Sequence, residues 1–154
     1  MKKLIAILLT AALFASLFAG CKKAGFASSS KFESTARNYG LKVVNVKDSF
    51  YPDSTDITEA LIATSDDGWQ IEYYNYVSES AAAISFEDNS NSGKASGGGT
   101  YAKTRSGNTA VFEHSAADAY CIVVQAGTML IYCEAPEEYG DTINSILVDM
   151  GVFS

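Results

Sequence analysis

Between residues 59 and 134 the chain falls into short apolar stretches parted by turn residues, and this pattern restricts it to a sheet-based fold. The stretches are 59–65, 69–77, 101–105, 109–114, 119–125 and 128–134. Asp66-Asp67-Gly68 parts the first two. Asp-Gly is a favoured two-residue hairpin loop because both residues tolerate positive φ. With Asp67 and Gly68 as that loop, Asp66 opposes Trp69, Thr64 opposes Ile71, Ile62 opposes Tyr73 and Ala60 opposes Asn75. Trp69, Ile71, Tyr73 and Ile62 then share one face. Gln70, Glu72 and Tyr74 share the other with Leu61, Ala63 and Ser65. The later turns are Ser106-Gly107-Asn108, 115–118 and Ala126-Gly127.

Helical patterns flank and divide these strands. Ser30 and Glu33 have capping-box spacing, and Phe32, Ala36 and Tyr39 fall on one face, which predicts a helix over 31–39. A strand follows at 41–46, then a loop over 48–58 around Pro52. Ser78 as cap, with Ala82, Ala83 and Phe86 on the apolar side, predicts a helix over 79–88. Residues 89–100 are nearly all Asn, Ser and Gly, and read as a mobile loop of little weight in stability. Pro136 suits a first helical turn, and Tyr139, Ile143, Ile146, Leu147 and Met150 form the strongest helical stripe in the chain. The expected order is α-β-β-β-α-β-β-β-β-α. Hairpins dominate, so the expected fold is α+β: one antiparallel sheet with helices on one face, a two-layer sandwich.

The first twenty residues are of another kind. Lys2 and Lys3 precede the uncharged run 4–19, which is too short for the roughly 20 apolar residues of a spanning helix. It fits the apolar region of a secretory signal. Leu17-Phe18-Ala19-Gly20-Cys21 resembles the lipobox of bacterial lipoproteins, with small residues at the two positions before the cysteine. That family usually has Leu, Val or Ile where Phe18 stands here. The resemblance implies cleavage after residue 20 and a diacylglyceryl thioether on Cys21. It also implies a membrane-anchored protein facing outside the cytoplasm. Residues 22–30 read as a flexible tether, with Lys22 and Lys23 near anionic head groups. Residues 31–154 then form a single domain, similar in layout to small uncharacterised bacterial lipoproteins. Of eleven basic and eighteen acidic residues, only Lys2 and Lys3 precede Cys21, so the part from Cys21 onward carries a net charge of −9. Such a surface argues against nucleic acid as a partner.

The residues that carry chemistry are few. His114 is the only histidine; no G-x-S-x-G elbow offers it a serine to activate, it cannot alone build a zinc site of the usual His/Cys composition, and no motif points to a metal or cofactor. With Ala116 and Ala117 as a hairpin tip, His114 and Cys121 are diagonal neighbours about 7–8 Å apart, too far to pair. The acids Asp53, Asp56, Glu59, Asp66 and Asp67 lack calcium-loop spacing and read as solvated turn residues. A two-residue Ala126-Gly127 loop pairs Cys121 with Tyr132 and sends Cys121 and Cys133 to opposite faces, as free buried thiols. A three-residue loop would oppose them and permit a disulfide. The remaining unusual feature is the tyrosine content of one strand. Tyr74 and Tyr76, beside Gln70 and Glu72, form the candidate binding surface. The expected function is a non-catalytic binding domain, for an envelope protein or a small ligand. The alternatives are an envelope hydrolase using carboxylates and an assembly component.

Overall fold

The computed structural model describes residues 24–95 and 98–153. The apolar run 4–19, Cys21, Lys22 and Lys23 lie outside the described residues, as does Gly97. The protein is α+β, a single seven-stranded antiparallel sheet with four helices among the described residues. In chain order the elements are α1 (Ser29–Asn38), β1 (Lys42–Asn45), α2 (Lys47–Phe50), β2 (Ile57–Thr64), β3 (Gln70–Tyr76) and α3 (Glu79–Ala95). Then come β4 (Thr100–Ser106), β5 (Thr109–Ser115), β6 (Tyr120–Ala126), β7 (Met129–Ala135), a 3₁₀ turn (Glu137–Tyr139) and α4 (Gly140–Asp149). The one-turn α2 stands where loop was expected, and Pro136 precedes the 3₁₀ turn instead of opening α4.

The strand order is β1-β2-β3-β7-β6-β5-β4. Two antiparallel meanders, β1–β3 and β4–β7, join where β3 pairs with β7. Helices cover both faces, not one. On the first face Phe32 and Ala36 of α1 and Ile143, Ile146 and Leu147 of α4 pack on Ile71, Tyr73, Ile122 and Ile131. On the second, Phe86 of α3 packs with Phe112, Val123 and Leu130. The near-continuous apolar runs of β6 and β7 follow from this, because central strands covered on both sides have no polar face.

Several local expectations are corrected. The cap of α1 is Ser28, whose Oγ accepts from the Lys31 amide at 3.2 Å, and Glu33 pairs with Arg37 at 2.8 Å instead of closing a capping box on Ser30. Residues 24–27 are no tether. Ala24 and Ala27 are buried in the core, the Gly25 amide donates to the Val152 carbonyl at 2.8 Å, and the Tyr73 hydroxyl donates to the Ala27 carbonyl at 3.1 Å. Residues 89–95 are not loop either. They extend α3 by two turns, with Ser90 and Gly93 on its buried side below Ala82 and Phe86. The buried Ser90 hydroxyl stays satisfied by donating to the Phe86 carbonyl at 2.6 Å.

The hairpin registers also shift. Thr64 lies opposite Gln70 and Leu61 opposite Tyr73, so Leu61 and Ala63 share the face of Trp69, Ile71 and Tyr73, while Ile62 lies with Gln70, Glu72 and Tyr74. Cys121 lies opposite Glu134, not Tyr132, because the β6–β7 loop is Gly127-Thr128. His114 lies directly opposite Cys121, since the β5–β6 tip is Ala117-Asp118.

Candidate functional site

Alternation along β3 puts Gln70, Glu72, Tyr74 and Tyr76 on the α3 side of the sheet. The expected set therefore does share one face. It divides by depth. Tyr74 is buried, Gln70, Glu72 and Tyr76 are half-buried, and α3 covers only the Tyr76 end. Pairing with β7 adds two residues that the sequence reading missed. Tyr132 stands directly opposite Glu72, and Glu134 opposite Gln70.

The Glu72 carboxylate is held on both oxygens. Gln70 Nε2 donates to Oε1 at 2.7 Å and the Tyr74 hydroxyl donates to Oε2 at 2.6 Å. Tyr74 also meets Tyr51, hydroxyl to hydroxyl at 3.1 Å with the rings edge to face. Burial first, and then the bond to Glu72, raises the Tyr74 pKa above the ordinary tyrosine value. Burial also raises that of Tyr132, whose hydroxyl donates to Glu134 at 2.8 Å. Both phenols are thus neutral donors at neutral pH, and the carboxylates are their acceptors. Around this row the surface is apolar, with half-buried Ile62 and exposed Val44 and Phe50.

Tyr76 serves a different place. Its hydroxyl donates to Ser85 Oγ at 2.7 Å, and its ring lines a shallow groove of about 450 Å³ beside Ile57, Ala81 and Ile84, with Asp56 and Asp88 at the rim. A second shallow groove, of about 540 Å³, lies between Tyr39 and the Asn144–Asp149 side of α4 on the other face.

Cys121 and His114 stand directly opposite each other on neighbouring strands, without forming an activated pair. His114 Nε2 donates to the Gly98 carbonyl at 2.7 Å. Burial, helped by the charge of Glu134, pushes the Cys121 thiol up to about 12, and burial raises Cys133 as well. Nucleophilic cysteines need the opposite shift. Cys121 and Cys133 are free, buried and on opposite faces of the sheet. Among the described residues no three of His, Cys, Asp or Glu come together as a metal site. Asp66 pairs with Lys42 at 2.7 Å, and Glu59 accepts from Ser29 at 2.8 Å. Among the described residues no helix is long and apolar enough to cross a membrane.

No protein-family model matches the chain. No curated protein matches it either.

Proposed function

We propose that the protein is a bacterial lipoprotein, held at the outer side of the cell membrane through lipid on Cys21, whose domain is a non-catalytic binding module. The observation that carries the binding reading is the Glu72 carboxylate. It is fixed by Gln70 and Tyr74 beside the ring of Tyr132, half open to solvent. A rigid acceptor beside an aromatic ring favours a partner that brings hydrogen-bond donors or a positive charge, since neither group reorganises on binding. Both Glu72 oxygens are occupied, which favours an acceptor over a proton-transfer group. The anchor rests on the lipobox resemblance at 17–21, and the net charge of −9 beyond it disfavours nucleic acid.

Two experiments test this reading. Cys21→Ala is expected to move the protein from the membrane to the soluble fraction; unchanged membrane association removes the anchor. A photoreactive residue at Glu134 is expected to give discrete cross-linked adducts in intact cells, in excess of one at exposed Thr104. Equal yields at the two positions reject the surface.

A further inference from the structure

We propose that the domain rests directly on the lipid surface with Phe26 in contact with it, so that Cys21 works as a short leash and not as a tether. The proposal deepens the anchored reading above and depends on it. Ala24, three residues after Cys21, is already fixed in the fold, being only 4 % exposed. Residues 24–27 are fixed at several points. Gly25 N donates to the Val152 carbonyl at 2.8 Å, the Ala27 amide to Met129 Sδ at 3.3 Å, and the Tyr73 hydroxyl to the Ala27 carbonyl at 3.1 Å. The clasp on Val152 is close: a Cβ at Gly25 would lie 2.7 Å from the Gly151 carbonyl oxygen.

Only Lys22 and Lys23 separate Cys21 from this fixed start. Three residue steps span at most about 11 Å when fully extended. A domain of this size is roughly 35 Å across. The leash is therefore shorter than a third of the body it holds, and the surface around Ala24 cannot stand clear of the bilayer.

The side chains at that place fit a lipid surface. Phe26 lies between buried Ala24 and Ala27, yet is 57 % exposed. Val148, whose carbonyl accepts from Gly151 N at 2.8 Å beside the clasp, is 52 % exposed. In sequence Lys22 and Lys23 lie between Cys21 and Ala24, a positive pair suited to anionic head groups in an otherwise acidic protein. Ala24 and Ala27 belong to the core on the α1 and α4 side, whereas the Glu72–Tyr132 row lies on the α3 side. Contact at Phe26 leaves the candidate binding surface on the other face of the sheet.

The test compares the anchored protein with an anchored variant carrying about 20 Gly/Ser residues between Lys23 and Ala24, a spacer of roughly 25 Å. Each carries Phe26→Cys, or Asp88→Cys on the opposite side of the sheet, and reacts with a membrane-impermeant maleimide in proteoliposomes of phosphatidylethanolamine and phosphatidylglycerol. Phe26→Cys is expected to label about tenfold more slowly on the short leash, with Asp88→Cys unchanged. Equal rates at residue 26, with the protein still membrane-bound, overturn the contact and leave the anchor standing. Protection in cells but not in the proteoliposomes means that a protein covers Phe26, and also overturns it. Membrane association that survives Cys21→Ala overturns both.

Discussion

Gly93 lies on the buried side of α3, where an added Cβ would stand 2.8 Å from Phe112 Cε1 and 3.1 Å from Cys121 Sγ. Alanine normally gains about 1 kcal/mol over glycine in a helix. Here overpacking of about 1–3 kcal/mol opposes that gain. Gly93→Ala is expected to lower stability by about 1 kcal/mol in urea unfolding, while Asn91→Ala, on the exposed side, raises it by a few tenths. Stabilisation by Gly93→Ala would contradict the close packing of this helix end. The thiols give a second expectation. Cys121 and Cys133 are buried with raised pKa values, so both resist alkylation in the native protein and both label after denaturation without reductant. Mass spectrometry reads this, and a failure to label implies a bridge. Glycine also explains the hairpin registers. No non-glycine residue described has positive φ. A two-residue Asp67-Gly68 loop needs Asp67 there; the three-residue loop 66–68 needs only Gly68, at φ 91°. Likewise Gly127-Thr128 uses Gly127 at φ 60° as the first loop residue, which spares Ala126. The turn positions were legible in the sequence, but the one-residue choice of register was not.

Among the elements, the one-turn α2 was missed outright and the C-terminal half of α3 was read as loop, because the buried face of α3 uses Ala82, Ser90 and Gly93 beside Phe86. Small residues let a helix approach the sheet, but leave no apolar stripe to read. Charges fix its outer side to the edge strand. Glu87 accepts from Arg105 at 3.1 Å and pairs with Lys103, and both cations stand over the Phe86 ring at 5.4 and 5.1 Å. The Lys103 bond chiefly, then Arg105, holds the Glu87 pKa below the ordinary carboxylate value. A depressed folded pKa contributes stability that is present above the unfolded value of about 4.3 and lost as pH falls through the folded one. Glu87→Gln is therefore expected to be less stable than the wild type at pH 7, with the gap narrowing below pH ~4. A constant gap would mean that the pair acts through packing alone. The strand pattern and the α4 stripe were legible because each is local. The β3–β7 pairing was not, since α3 and strands β4 to β6 lie in the chain between partners such as Asn75 and Met129. Tyr132 and Glu134 were missed for that reason.

For the whole molecule, the tyrosines report folding. Burial raises the pKa values of Tyr73, Tyr74, Tyr120 and Tyr132 above the ordinary value of about 10. A raised folded pKa contributes stability that is complete below the unfolded pKa and lost as pH rises through the folded one. Absorbance titration near 295 nm is expected to show these four ionising late, together with base-induced unfolding. A single reversible step near pH 10 for all nine tyrosines would contradict their burial. Tyr73 and Tyr120 are buried on the α1 and α4 side, while Tyr74 packs against Tyr51 on the other face and Tyr132 is half-buried there; the hairpin count did not reveal a core on each side. Finally, the hydrogen bond from Gly25 to Val152 makes the fold a closed loop in outline, with entrance and exit side by side. A reporter fused behind Phe153 starts beside this entrance, and under the proposed lipid contact it competes with the bilayer for the same space. The exposed Ala117-Asp118 turn offers a point of insertion that leaves this doorway clear. The same adjacency lets Ala24 and Phe153 be joined by a few residues and the domain reopened at that turn, giving a circular permutant.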